Sequence, residues 1–363
     1  MTKLLSFFLL FALLCSPFVN AKLERHTYYS KSIENNVIGT NPERVISVYL
    51  PASYDDTPNK IYPVVYFLGA YSWSNDFALP MEKRIDRFGV KNQPIEFIVV
   101  MLDGDTPLRG SFYVNSKAHG YFEDFIMSEA IPWVRSHFRV SQNPSLTAIA
   151  GYSMGGTGAL RLAARYPTQF GHVYALSPGV FNKTGLEDSF LSNKSAIEHY
   201  NTFRQHYAKV DDKLAFMSKE FAPFQGDKLW DNGDENSDYA FILAYGGAFA
   251  SRPNEAFGIH YSEKKGAYPK WQAGFGDILT MYMSSSVLDN LNSVVIEVGD
   301  HDEFRWITNG CVTLKVASEE ADSIVKVNVF EGDHGDHFGQ RIEQSMLPHF
   351  VKVLSQSTIT TSN

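Results

Sequence analysis

Cysteine is nearly absent from this chain: the 363 residues hold two. One of them, Cys15, lies in an apolar N-terminal run. With that run removed, Cys311 stands alone, no internal disulfide can form, and stability must come from a packed core. Cys15 does not fit lipoprotein processing either, because the bulky Leu14 stands before it where a small residue is needed. Positive charge is not in excess. The formal charge is −8, or −8 − 1, about −9, once Lys3 leaves with the N-terminal segment. That balance argues against nucleic acid or an anionic membrane surface as the main partner. The apolar run from Leu4 to Leu14 is too short to span a bilayer comfortably, and no longer one follows, so no membrane span is expected. Internal repeats and low-complexity tracts are missing as well.

The N-terminus reads as a secretion signal. Lys3 supplies the positive region, Leu4 to Leu14 the apolar region, and Val19-Asn20-Ala21 a small-residue cleavage site. The expectation is a secreted or periplasmic protein whose mature chain starts near Lys22, at the polar stretch Lys22-Leu-Glu-Arg-His26. Residues 22–355 are long enough for one large α/β domain, and residues 356–363 read as a disordered tail. Aromatic residues make up 14% of the chain, which suits an apolar or ring-shaped ligand as well as packing.

Hydrophobic patterning organises that domain. Val45 to Leu50 alternates and ends at Pro51, as a half-buried strand does. Tyr62 to Leu68 and Ile95 to Leu102 are continuous apolar, β-branched and aromatic runs, which fit strands covered on both faces of a parallel sheet. Residues 121–138 have helical spacing with a broad apolar face. Further strands are expected at 171–176, 293–298 and 323–330, with helices around 309–320 and 339–354. Strands alternating with helices imply a mostly parallel sheet with helices on both faces. Residues 179–288 break this rhythm with turn residues and scattered aromatics. So long a connection reads as a partly helical insertion or cap.

The most informative stretch is Leu146 to Gly156. It reads as a short apolar strand, the G-x-S-x-G turn Gly151-Tyr-Ser153-Met-Gly155, and a helix through Arg165. This is the context of a nucleophile elbow, in which glycines occupy crowded positions and a helix N-terminus faces the reacting centre. A serine nucleophile needs a base, and the base needs an orienting acid. In a sheet of this kind they follow in the order Ser, acid, His, each on a loop after a strand's carboxyl end. The strand ending at Val298 is followed by Gly299-Asp300-His301-Asp302-Glu303. The strand ending at Phe330 is followed by Glu331-Gly-Asp-His334-Gly-Asp-His337. Asp302 leads for the acid, because a turn at Gly299-Asp300 brings the next side chain back over the sheet edge. Asp300 comes second, and Glu303 also competes. His334, nearest its strand, leads for the base, with His337 as a supporting or substrate-facing group and His301 as a spectator. The oxyanion hole needs two N–H donors. Met154, after the nucleophile, supplies one. The loop Gly69-Ala-Tyr-Ser-Trp73 supplies the other, assigned to Tyr71 with Ala70 as its rival.

Several segments together carry a resemblance. Phe112-Tyr-Val-Asn-Ser116, Gly120-Tyr-Phe-Glu-Asp124, Ala148-Ile-Ala-Gly-Tyr-Ser-Met-Gly-Gly156, Tyr166-Pro-Thr-Gln-Phe-Gly171 and Ala175-Leu-Ser-Pro178 resemble the esterase D-like family, which includes S-formylglutathione hydrolases, feruloyl and acetyl esterases and mycolyltransferases. The likeness covers residues 45–178 and about 294–350, and the cap only loosely. It implies an α/β-hydrolase fold, a Ser153-Asp302-His334 triad and no cofactor. One departure stands out: relatives carry His-Gly or Ser-Gly where this chain has Gly69-Ala70, which touches the second oxyanion donor. The resemblance puts Tyr113 and Asn115 near the substrate cleft. With Trp73, Tyr152 and His337 they form the candidate substrate-contacting set. Glu123 and Asp124 open a helix, where acids favour the dipole.

The leading reading is a serine esterase that forms an acyl-enzyme on a small-molecule or carbohydrate-linked ester. An alcohol in place of water would make the same site an acyltransferase. Metal-dependent hydrolysis lacks a compact ligand motif and leaves Ser153 unexplained. A noncatalytic binding protein on the same fold is the remaining class. Asn182 and Asn193 each start a glycosylation-acceptor triplet.

Overall fold

A computed structural model describes residues 21–224, 234–251, 257 and 268–360. The expected signal segment lies outside them except for Ala21. Eight strands form the central sheet: β1 (Lys22–Tyr29), β2 (Glu43–Leu50), β3 (Val64–Leu68), β4 (Ile98–Leu102), β7 (Thr147–Tyr152), β8 (His172–Leu176), β9 (Ser293–Gly299) and β10 (Val325–Phe330). The short strands β5 (Asn115–Ser116) and β6 (Gly120–Tyr121) pair separately. The order across the sheet is β1-β2-β4-β3-β7-β8-β9-β10. The pairs β1·β2 and β2·β4 are antiparallel, and the pairs from β4 to β10 are parallel. This is a mostly parallel sheet, as the strand and helix rhythm predicts.

The continuous apolar runs are explained by burial on both faces. In β3, Val64, Tyr66 and Leu68 face one core, while Val65 and Phe67 face the other. β4 divides in the same way, with Ile98, Val100 and Leu102 opposite Val99 and Met101. Such two-residue alternation sends successive side chains to opposite layers. The first layer holds the helical stretch 122–137, the helix Met154–Arg165 and the helix Arg305–Glu320. The second holds the helix Ala78–Lys91 and the C-terminal helical stretch 338–360.

Two elements differ from the sequence reading. β1 occupies the stretch read as merely polar, pairing from Lys22 opposite Leu50 to Tyr29 opposite Glu43. As an edge strand it buries little, so its residues carry no apolar signal. The last helix, Leu347–Thr360, runs into the segment expected to be a disordered tail. Between β8 and β9 the chain contributes helices Lys194–Lys209, Lys213–Phe221, Asp234–Phe249 and Tyr268–Tyr282. They pack onto the first layer through residues such as Tyr200, Tyr245, Trp271 and Phe275.

Candidate active site

Ser153 sits between β7 and the helix Met154–Arg165 with φ 52° and ψ −115°. For a side chain other than glycine that backbone is strained, and it persists only where the surroundings enforce it. The Ser153 N–H donates to Leu176 O at 2.8 Å, and its carbonyl accepts from the Thr157 N–H at 3.0 Å. The flanking glycines permit this turn. A Cβ on Gly151 would lie 2.3 Å from the Gly155 backbone, and one on Gly155 would lie 2.1 Å from Leu68 O. The helix therefore starts against the end of β3, bringing its first-turn amides to the loop that follows β3.

The acid and histidine loops converge on the same edge. His334 Nε2 lies 2.9 Å from Ser153 Oγ, and His334 Nδ1 lies 2.7 Å from Asp302 Oδ2. Asp302 is fully buried, and its other oxygen accepts the Phe304 N–H at 2.9 Å. The rivals have other work. Asp300 accepts from the Gly332 N–H at 3.0 Å and from His301 at 2.6 Å, joining the two loops. The Gly332 amide, with His301 beside it, holds the Asp300 carboxyl below its usual range. Glu303 Oε2 accepts the His334 N–H at 3.1 Å. A Cβ on Gly299 would lie 2.3 Å from Gly332 O, so the loops meet backbone to backbone there.

Beneath the histidine lies a polar network that no motif announces. The His334 carbonyl accepts from Ser177 Oγ and from Tyr152 OH, both at 3.2 Å. Ser177 in turn accepts from Arg341 Nη1 at 3.1 Å, and Arg341 Nε donates to Glu297 Oε2 at 3.0 Å. Tyr174 OH donates to the other Glu297 oxygen. Arg341 and Glu297 are each 5% exposed. The clue in the sequence was Glu297, a charge inside an otherwise apolar strand.

The loop after β3 turns Tyr71 and Trp73 to different sides. Among the described residues, its backbone hydrogen bonds use the amides of Gly69, Ser72 and Trp73 and neither Ala70 nor Tyr71. The Tyr71 ring packs 5.0 Å from Phe241 and its hydroxyl donates to Leu108 O at 2.9 Å. A narrow cavity of about 30 Å³ opens beside Ser153, floored by Met154, Phe112, Phe275, Trp306 and Ile307 and rimmed by Phe190, Phe241 and Phe304. Among the described residues, no three His, Cys, Asp or Glu side chains gather as a metal-ligand set.

With this geometry in place, comparison with known proteins identifies the family. The family model "Putative esterase" matches residues 39–352. The chain belongs to that esterase family. Two curated relatives, Esterase Rv1288 and Esterase MT1326 from two strains of Mycobacterium tuberculosis, are 32% identical over 152 residues, 40% of this chain. The match spans 30% of the length of each. Among solved structures, a ferulic acid esterase aligns with TM-score 0.54 at 20% identity, covering 92% of this chain and 99% of that one. An S-formylglutathione hydrolase from Agrobacterium tumefaciens aligns with TM-score 0.53 at 14% identity, covering 93% and 96%. Mycobacterium tuberculosis MPT51 aligns with TM-score 0.54 at 13% identity, covering 92% and 99%. These likenesses establish the α/β-hydrolase fold, and family membership supports ester hydrolysis.

In this esterase-family chain, the residues expected to contact substrate, Trp73, Tyr113, Asn115, Tyr152 and His337, are not among those lining the Ser153 cavity. Tyr113 is fully buried, and its hydroxyl donates to Gly69 O at 2.8 Å. Its ring fills the space beside Gly158 and braces the Met154–Arg165 helix. Asn115 is occupied with the helix start, accepting the Asp124 N–H at 3.1 Å and donating to Asp124 Oδ1 at 2.8 Å. Tyr152 backs the histidine, with ring centroids 5.4 Å apart, and does not line the Ser153 cavity. Trp73 packs on Tyr152 and Phe338 and lines a separate groove with Arg84. His337 is exposed, adopts φ 57° at the start of the helix Phe338–Arg341, and rests edge-on to Phe330. Glu123 opens its helix as expected, yet it is also buried and accepts from Arg165 Nε at 2.8 Å and Tyr166 OH at 2.7 Å. The cavity rings Phe112, Phe190, Phe241, Phe275, Phe304 and Trp306 escaped sequence reasoning, because three separate segments supply them.

Proposed function

We propose that the chain is a secreted or periplasmic serine esterase that cleaves carboxylic esters through an acyl-enzyme. The observation that carries this reading is the hydrogen-bonded series from Ser153 Oγ to His334 Nε2 at 2.9 Å and from His334 Nδ1 to Asp302 Oδ2 at 2.7 Å. With Nδ1–H donated to the buried Asp302 carboxylate, Nε2 is left as the acceptor for the serine proton. As Ser153 Oγ bonds to the ester carbonyl carbon, its proton passes to His334. The carbonyl oxygen becomes an oxyanion and takes the N–H groups of Met154 and Tyr71. Met154 is the first residue of its helix, so its amide has no intrahelical acceptor.

Collapse of the tetrahedral adduct breaks the bond to the alcohol oxygen, which receives the proton from His334. Water then adds to the acyl carbon as it gives a proton to His334, and collapse of this second adduct breaks the Ser153 Oγ–acyl bond, returns that proton to Ser153 and frees the acid. Asp302 keeps the imidazole in one tautomer and stabilises the imidazolium. The His334 backbone is held at both ends, its N–H by Glu303 and its carbonyl by Ser177 and Tyr152. Such fixing keeps the base in reach of the nucleophile throughout.

The test is labelling with a fluorophosphonate alongside turnover of p-nitrophenyl acetate, in wild type and in Ser153→Ala. Both signals are expected in wild type and neither in the variant. A folded wild type that resists the probe would refute the nucleophile and favour a noncatalytic binding protein. Export is tested separately by sequencing the N-terminus of the protein recovered outside the cytoplasm, where Lys22 is expected as the first residue.

A further inference from the structure

The cavity beside Ser153 limits what can be bonded to that serine. Its floor is closed by stacked and edge-packed rings: Phe275 and Trp306 lie 5.2 Å apart at 12°, and Phe112 stands 5.7 Å from Phe275. Its mouth is narrowed by Phe190, Phe241 and Phe304. Phe190 lies 5.1 Å from Phe241 and 6.2 Å from Phe304. Phe304 is set edge-on to the His334 ring at 5.3 Å. The space inside is about 30 Å³, on a measure in which one water needs roughly 10–15 Å³. Two or three heavy atoms fill it.

Polarity narrows the choice further. Besides Ser153, the polar groups in the lining are the Trp306 indole N–H, which has no hydrogen-bond acceptor among the described residues, and the Thr157 side chain. Its hydroxyl is already engaged with Gly179 O at 3.1 Å and Ser153 O at 3.3 Å. Among the described residues no charged side chain lines the cavity, so a charged acyl group would be desolvated there without an opposite charge to pair with.

Of the two halves of an ester, the acyl group belongs in this closed space. It stays bonded to Ser153 while the alcohol departs and water arrives, whereas the alcohol must exchange with solvent. We infer, resting on the serine-esterase reading above, that the chain selects esters of short, neutral acyl groups of acetyl or propionyl size, and that Phe190 and Phe241 set this limit. Both rings come from the segment between β8 and β9, so the insertion acts as the specificity element. A hydroxycinnamoyl group, with an aromatic ring beyond its acyl carbon, exceeds the space.

The experiment compares kcat/KM for p-nitrophenyl acetate, butyrate and hexanoate and for methyl ferulate, in wild type, Phe241→Ala and Phe190→Ala, each checked for folding by circular dichroism. One methylene against a fixed hydrophobic wall is worth about 10-fold or more, so hexanoate should trail acetate by at least about 100-fold in wild type. Opening the wall should raise the hexanoate-to-acetate ratio about 10-fold or more in either variant. Should Phe241→Ala fail to fold, Phe190→Ala and Phe241→Leu decide the matter. Wild-type turnover of hexanoate or ferulate within about 3-fold of acetate would overturn the inference, as would an unmoved ratio in the folded variants. Loss of fluorophosphonate labelling together with turnover of every ester would instead overturn the serine-esterase reading beneath it, so the two failures are distinguishable.

Discussion

Replacing Arg341 by Leu removes the guanidinium bonded to Glu297 and leaves a carboxylate that is 5% exposed with, among the described residues, Tyr174 OH as its remaining side-chain donor. Breaking a buried ion pair from one side costs about 3–5 kcal/mol, because the surviving charge stays desolvated. For 363 residues at about 2.1 cal/mol/K per residue, the unfolding entropy is about 0.8 kcal/mol/K, so Tm should fall by about 4–7 °C. Neutralising the survivor should restore part of that loss. Calorimetry on Arg341→Leu, Glu297→Gln and the double variant forms a thermodynamic cycle. A single-variant shift under about 1 °C, or a double variant no more stable than Arg341→Leu, would show that the pair is not desolvated as its burial implies.

The same network reaches the histidine, and activity separates that role from stability. Arg341 donates to Ser177 Oγ, which donates to the His334 carbonyl. Ser177→Ala cuts this tether while leaving the ion pair in place. A neutral hydrogen bond is worth about 1 kcal/mol, so kcat should drop about 5-fold with KM nearly unchanged. If KM rose instead while kcat held, Ser177 would be acting on substrate and the positioning argument would be wrong.

Asp302→Asn should lower kcat about 10³–10⁴-fold by upsetting the imidazole tautomer, whereas Asp300→Asn should cost less than about 5-fold; comparable losses at both would blur the assignment of the acid. Tyr113→Phe should lower stability by about 1–2 kcal/mol and leave KM for every ester unchanged, and a raised KM would return Tyr113 to the substrate contacts. Burial holds His119 down to about 4 against an ordinary 6.5, so between those values the unfolded chain binds a proton that the native one does not. Stability is then lost as pH falls through that window, by up to about 3 kcal/mol for this residue, with His349, also held near 4 by burial, acting in the same direction. Melting His119→Asn and wild type at pH 7.5 and 4.5 should show the variant losing less on acidification, and parallel losses would exclude His119 as a source.

What could be read from the sequence and what could not divides along physical lines. The parallel strands were legible because burial on both faces writes an uninterrupted apolar run, as in Val64–Leu68 and Ile98–Leu102. The elbow was legible because its crowding is local: Gly151 and Gly155 nearly touch, and only glycine satisfies both positions. β1 was not legible, since an edge strand such as Lys22–Tyr29 takes its order from a partner and leaves polar residues on its surface.

Residues such as Tyr113 and Trp73 illustrate a second limit. An aromatic residue near a motif says nothing about which side of the backbone its ring will take. Tyr71 and Trp73 are two apart on one loop, yet the first packs toward Phe241 at the Ser153 cavity and the second toward Phe338 at another groove. The Ser153 pocket is built from Phe112 on one loop, Phe190 and Phe241 on the insertion, and Phe304 and Trp306 after β9. No local pattern links those positions, because the contact that joins them is the folded packing itself. On the proposed function, chemistry in this chain is concentrated in short motifs at strand ends, while selectivity is spread over distant aromatic residues. Substitutions in the first group should abolish turnover of every ester alike, and those in the second should change which ester is preferred.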